Sequence, residues 1–109
     1  MISTILPYDR VRVELGFAGP RYAQFTPEGV EAAALMQRLE GIELDGVYTG
    51  KACAALVHAL KNGDLENKTV LFWNTFYPCS FDEQSYDTRK LSCGLRDFFI
   101  QDVQELDKV

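Results

Sequence analysis

No stretch of this chain approaches the roughly 20 consecutive apolar residues that cross a bilayer, so a transmembrane helix is not expected. Histidine is almost absent, with His58 alone, and the three cysteines (Cys53, Cys79 and Cys93) lie too far apart for a zinc or dithiol pair. No metal site and no disulfide framework is expected from them, and reduced thiols fit the cytoplasm. Positive charge is also scarce: 11 basic residues face 16 acidic ones, for a net charge of −5. Nucleic acid and anionic membranes both call for a clustered basic surface, so neither is an expected partner. The first fifteen residues lack a basic segment followed by an apolar one, and no signal peptide is expected. Glycine-rich nucleotide loops and the Gly-x-Ser-x-Gly elbow are missing too.

What is present is a balanced globular composition. Hydrophobic residues make up 47% and charged residues 25% of 109 positions, which suits one domain with a single modest core. Val11 to Leu15 alternates apolar and charged residues and predicts a half-buried strand. Gly16 to Tyr22, with two glycines and a proline, predicts a loop.

Thr26-Pro27-Glu28 has the chemistry of a helix start: a hydroxyl cap, a proline where no amide is needed, and an acid at the positive end of the dipole. Apolar residues from Val30 to Leu39 continue at helical spacing, and Gly41 supplies the stop. Ile42 to Leu44 then reads as a short strand. A second helix is expected from about Gly50 to Asn62, burying Ala52, Ala55, Leu56, Ala59 and Leu60 and leaving His58 toward solvent. Thr69 to Thr75 is a nearly continuous β-forming run, the pattern of a central strand covered on both faces. Strand, helix and strand in that order predict parallel pairing. Beyond Phe81 a polar connection leads to Leu91, Leu95, Phe98, Phe99, Val103 and Leu106, the apolar face expected of a terminal amphipathic helix. The expected fold class is therefore α/β: a small parallel-sheet unit over residues 1–81 with helices packed on it, then residues 82–109 as connection and helix.

Tyr48-Thr49-Gly50-Lys51 falls where a strand gives way to its helix. That edge of an open α/β sheet collects ligands, and helix-terminal amides attract anions. Spacing alone leaves two readings open. Thr49 is either a plain cap beside a turn glycine and a half-buried Tyr48, or these residues hold a ligand. Thr75, at the end of the apolar run, would share the same edge. Cys79 has no basic neighbour in sequence and reads as structural. Lys51 and Lys68 are candidate amines for an imine, with Lys68 in a polar turn that favours solvation.

The stretch from Gly16 through Lys51 to Gly63, followed by Val70-Leu71-Phe72-Trp73-Asn74-Thr75, resembles the C-terminal part of fold-type II pyridoxal-phosphate enzymes. It is most similar to the D-cysteine desulfhydrases and 1-aminocyclopropane-1-carboxylate deaminases, over roughly Val13 to Phe81. The resemblance implies the tryptophan synthase β-like fold and a lyase or deaminase acting on a small amino acid. It implies pyridoxal phosphate as cofactor, Tyr48 as an active-site tyrosine beside the substrate, and Thr49, Gly50 and Thr75 on the cofactor side. A hydroxyl such as Thr75 facing the pyridine nitrogen would leave that nitrogen neutral and limit the ring as an electron sink.

Several positions depart from the family pattern. The asparagine-lysine motif that carries the imine and the glycine loop that holds the phosphate have no counterpart in this sequence. Asn67-Lys68 repeats only the two letters. Asn74-Thr75-Phe76-Tyr77 stands where the family has His-Thr-Gly-Gly, and Arg21 stands where it has glycine. Two functions follow as expectations. One is a partial enzyme, inactive alone and completed by an N-terminal portion. The other is a non-catalytic α/β module that forms homodimers or binds a partner chain.

Overall fold

The computed structural model describes residues 10–79, 87–102 and 104–107. Helix α1 spans Pro27–Glu40 and starts as its sequence dictates. The Thr26 hydroxyl accepts the Gly29 amide at 3.2 Å, with Pro27 in the first turn. Gly41 ends the helix in the left-handed region (φ 66°), where a side chain would be strained, and its amide donates to the Gln37 carbonyl.

Helix α2 spans Thr49–Lys61 and packs against α1. Its buried residues are Thr49, Gly50, Lys51, Cys53 and Ala54. The stripe expected to be buried is turned away: Ala52 and Leu60 are exposed, and Ala55, Leu56 and Ala59 are half-buried. The reason is the contact with α1, which is made at Gly29 and Gly50. A Cβ on Gly50 would stand 3.0 Å from the Gly29 carbonyl oxygen, and one on Gly29 would stand 3.4 Å from Lys51 Cγ. This close approach sets which face of α2 turns inward. The core is correspondingly small: Ala32, Leu44, Cys53 and Ala54, with Phe17, Ala33, Met36, Val57 and Phe72 packed on it. Burying a side chain such as Leu44 contributes about 2 kcal/mol, and three of the four buried residues are smaller.

The expected parallel sheet is not there: among the described residues no strand forms. Val11, Val13 and Leu15 are all exposed, and Ile42 to Leu44 joins the helices without pairing. Residues 69–77 carry a strand's alternation but only one of its covered faces. Phe72, Asn74 and Phe76 are half-buried, whereas Leu71, Trp73 and Tyr77 are 83%, 77% and 80% exposed. Apolar alternation shapes one segment, but a strand exists only when a neighbour takes up its backbone groups. Here the link to residues 42–44 is a side-chain bond, from Asn74 Nδ2 to the Glu43 carbonyl at 3.4 Å.

The terminal helix is also shorter than its apolar spacing predicts. Helix α3 covers Cys93–Ile100, and Gln101 is extended (φ −77°, ψ 143°). Leu106 sits in a separate 3₁₀ turn, Glu105–Asp107, and Val103 lies outside the described residues. Leu95, Phe98 and Phe99 of this helix are exposed. After the break, the Gln104 side chain takes hold of the loop before α1. Its Oε1 accepts the Phe25 amide at 2.8 Å and its Nε2 donates to the Ala23 carbonyl at 3.2 Å. The expected boundary at 81/82 lies outside the described residues. No helix among those described is long and apolar enough to cross a membrane.

Candidate functional site

The turn into α2 is organised by Asp45. Its carboxylate accepts the amides of Val47 (2.8 Å), Tyr48 (2.6 Å) and Thr49 (2.9 Å) and the hydroxyl of Thr49 (2.6 Å). In return, the Asp45 amide donates to the Thr49 hydroxyl at 2.8 Å, and the Gly50 amide donates to the Asp45 carbonyl at 2.8 Å. Partial burial by itself would raise the Asp45 pKa. The hydrogen bonds from Thr49, Tyr48 and Val47 outweigh it and hold the carboxyl below the usual range. The amides at this helix start are therefore neutralised from within the chain.

Tyr48, fixed by that turn, stands 59% exposed with its hydroxyl 2.5 Å from the hydroxyl of Tyr22. The two rings meet edge to face, with centroids 6.3 Å apart. The hydrogen bond with Tyr22 is the main cause that raises the Tyr48 pKa, followed by desolvation and then the nearby Tyr22 and Asp45 charges.

Tyr22 belongs to the loop from Gly16 to Ala23, and Lys51 holds that loop from beneath. The Lys51 side chain is buried, and its Nζ donates to the Ala18 carbonyl at 2.8 Å. Gly19 crosses over it at φ 81°, where a Cβ would come within 2.8 Å of Thr26 Cγ2 and 3.4 Å of Lys51 Nζ. The result is a cleft of about 480 Å³. Tyr22, Tyr48, Arg21 and Glu14 line it, with Lys51 also at its surface.

The sequence candidates separate here. Tyr48 lines the cleft. Thr49 is buried with its hydroxyl engaged by Asp45, and Gly50 is buried against the Asp45 and Gly29 carbonyls. Thr75 is exposed on the extended segment and does not line the cleft. His58 is exposed, as its spacing predicts. It meets Phe17 edge to face and bonds Asn62. Lys68 donates to the Asp64 carbonyl at an exposed position. Among the described residues no cluster of His, Cys, Asp or Glu could hold a metal. Sequence reasoning missed Asp45 as the organiser of the turn, Tyr22 as the partner of Tyr48, and Gln104 as the clamp. An aspartate four residues before a threonine at a helix start was the available signal for the first.

Pyridoxal phosphate does not find a complete site in these residues. The amides that could receive its phosphate at α2 already bond Asp45, and Gly50 is closed over by two carbonyl oxygens. Tyr48 and Thr75 are the two residues of the implied set that stay open to solvent.

No protein-family model matches the chain, and no solved structure matches it. Over 70 residues it is 37% identical to D-cysteine desulfhydrases from Yersinia pestis (strain Pestoides F) and Yersinia pseudotuberculosis (serotype O:1b). The match takes in 63% of this chain and 21% of each relative. The chain thus spans about a fifth of the length of the curated relatives it matches, and its resemblance is to the D-cysteine desulfhydrase family.

Proposed function

We propose that this chain supplies one wall of a lyase or deaminase site of the D-cysteine desulfhydrase kind, acting on a small amino acid, and that it does not run the reaction by itself. The observation carrying this reading is the Tyr22–Tyr48 hydroxyl pair at the mouth of a cleft, in a chain similar to a fifth of such an enzyme. Tyr48 would present its hydroxyl to the substrate, and Asp45 would hold the turn that aims it. Pyridoxal phosphate, in the complete enzyme, supplies an electron-accepting ring. Its covalent lysine and phosphate loop would come from an N-terminal portion. Lys51 is unsuited to the anchor role, because its amine is buried against the Ala18 carbonyl.

The test is to add pyridoxal phosphate to the purified chain, reduce with borohydride and map labelled lysines. No specific label is expected. Labelling of Lys51 would refute the claim that the anchor lies elsewhere. Supplying the N-terminal four-fifths of a desulfhydrase should restore hydrogen sulfide release from D-cysteine, and Tyr48→Phe should abolish it.

A second reading is a non-catalytic module that pairs with a second copy. The exposed Leu71, Trp73 and Tyr77 on an extended segment favour it, since an open apolar edge is a template for association. Sedimentation of the chain alone, with and without Trp73→Lys, separates the two: a dimer lost on substitution supports the module, and a monomer in both excludes it.

A further inference from the structure

We propose that the Tyr22–Tyr48 cleft binds the anionic side chain of an amino acid, with Arg21 as the residue that selects it. The inference deepens the reading above, since it names a substrate class for the same cleft. Three charged side chains line the cleft: Glu14, Arg21 and Lys51. Two of them are already engaged. Glu14 pairs with Arg12, and the Lys51 amine is bonded to the Ala18 carbonyl. The Arg21 guanidinium has neither an ion pair nor a side-chain hydrogen bond among the described residues. Lys51 keeps its charge while its amine is tied to the Ala18 carbonyl, so Arg21 is the cation of this lining whose N–H groups are unengaged among the described residues, in a cleft that two tyrosine hydroxyls also line.

A guanidinium fork takes a carboxylate or sulfonate through two parallel N–H bonds, and a tyrosine hydroxyl can donate a third to the same anion. Gln24 donates its amide to the Arg21 carbonyl, which closes the turn that carries the side chain. Ala23, two residues on, is in the left-handed region at φ 60°, and Gln104 clamps its carbonyl. The loop is thus held at both ends, by Lys51 at Ala18 and by Gln104 at Ala23, with Arg21 between them.

The test uses the purified chain and follows tyrosine difference absorbance while titrating succinate, cysteate and alanine. Saturable binding of succinate and cysteate is expected, at least tenfold tighter than alanine. Arg21→Gln should weaken both anions about tenfold or more, Arg21→Lys should recover part of the loss, and Arg38→Gln, in the last turn of α1 and outside the cleft, should leave binding unchanged. Unsaturable anions, equal binding of alanine, or full affinity in Arg21→Gln would overturn the proposal. Succinate has no amino group and needs no cofactor. Its binding therefore stands or falls separately from the borohydride and complementation experiments, and failure of either one is recognisable as its own.

Discussion

Asp45 and Thr49 hold each other reciprocally: the threonine hydroxyl donates to the aspartate carboxylate while accepting the aspartate amide. This pair performs the cap that the residue just before α2, Tyr48, does not provide with its own side chain. Asp45→Ala should therefore cost about 1 kcal/mol of stability, in the range of a lost helix cap, with Asp45→Asn costing less. Urea denaturation followed by circular dichroism measures both.

The same carboxylate gives a pH dependence with a definite sign. Its folded pKa is depressed, so its stabilisation is fully present above the unfolded value, near ~3.9, and is lost as pH falls through the folded value. The loss belongs to the window below about pH 4. Denaturation midpoints across that range should fall more steeply for the native chain than for Asp45→Asn.

Tyr48 titrates in the opposite sense. Its pKa is raised first by the hydrogen bond with Tyr22, so ionisation is held off above the usual value near ~10. The corresponding stabilisation is complete below that value and disappears as pH rises through the folded pKa. Tyr22→Phe should move the Tyr48 phenolate transition downward, read by ultraviolet absorbance at alkaline pH.

Gly50 tests the helix crossing. Alanine there would gain close to ~1 kcal/mol of helix propensity. Its Cβ would meet the Asp45 oxygen at 2.8 Å and the Gly29 oxygen at 3.0 Å, both backbone atoms that cannot step aside cheaply. Net destabilisation of about 1–3 kcal/mol is expected from the overpacking. Gly29→Ala should cost less, because its nearest neighbours are the Thr26 and Lys51 side chains. Thermal unfolding of the two variants checks the order.

Lys51→Met keeps the buried stem and removes the bond to Ala18. The unpaired carbonyl should cost about 1 kcal/mol. The freed loop should also be cut faster by trypsin at Arg21, measured by the time course of limited proteolysis.

What the sequence revealed divides by the range of the interaction. Thr26, Pro27 and Gly41 marked the limits of α1 because capping is settled within four residues, and Gly50 to Asn62 placed α2 to within one residue. The buried face of α2 was not legible: Gly29 lies on the preceding helix, beyond the non-helical stretch 41–48, and its carbonyl decides which way Gly50 turns. The sheet was misread for a related reason. Thr69 to Thr75 has the composition of a central strand, but backbone partners for it are not among the described residues. In the site, Tyr48 was visible as a residue, but its partner Tyr22 is 26 positions away and joined only through the loop that Lys51 supports.

That unpaired segment has a consequence in time as well as in shape. Amides inside α1 and α2 exchange with solvent only when a helical turn opens, whereas those of residues 70–73 have no backbone acceptor among the described residues. Deuterium is expected to enter there at close to the rate of an open chain, ahead of either helix. The stretch around Trp73 is thus a reporter built into the chain: any strand that came to pair with it would register first as a slowing of its exchange.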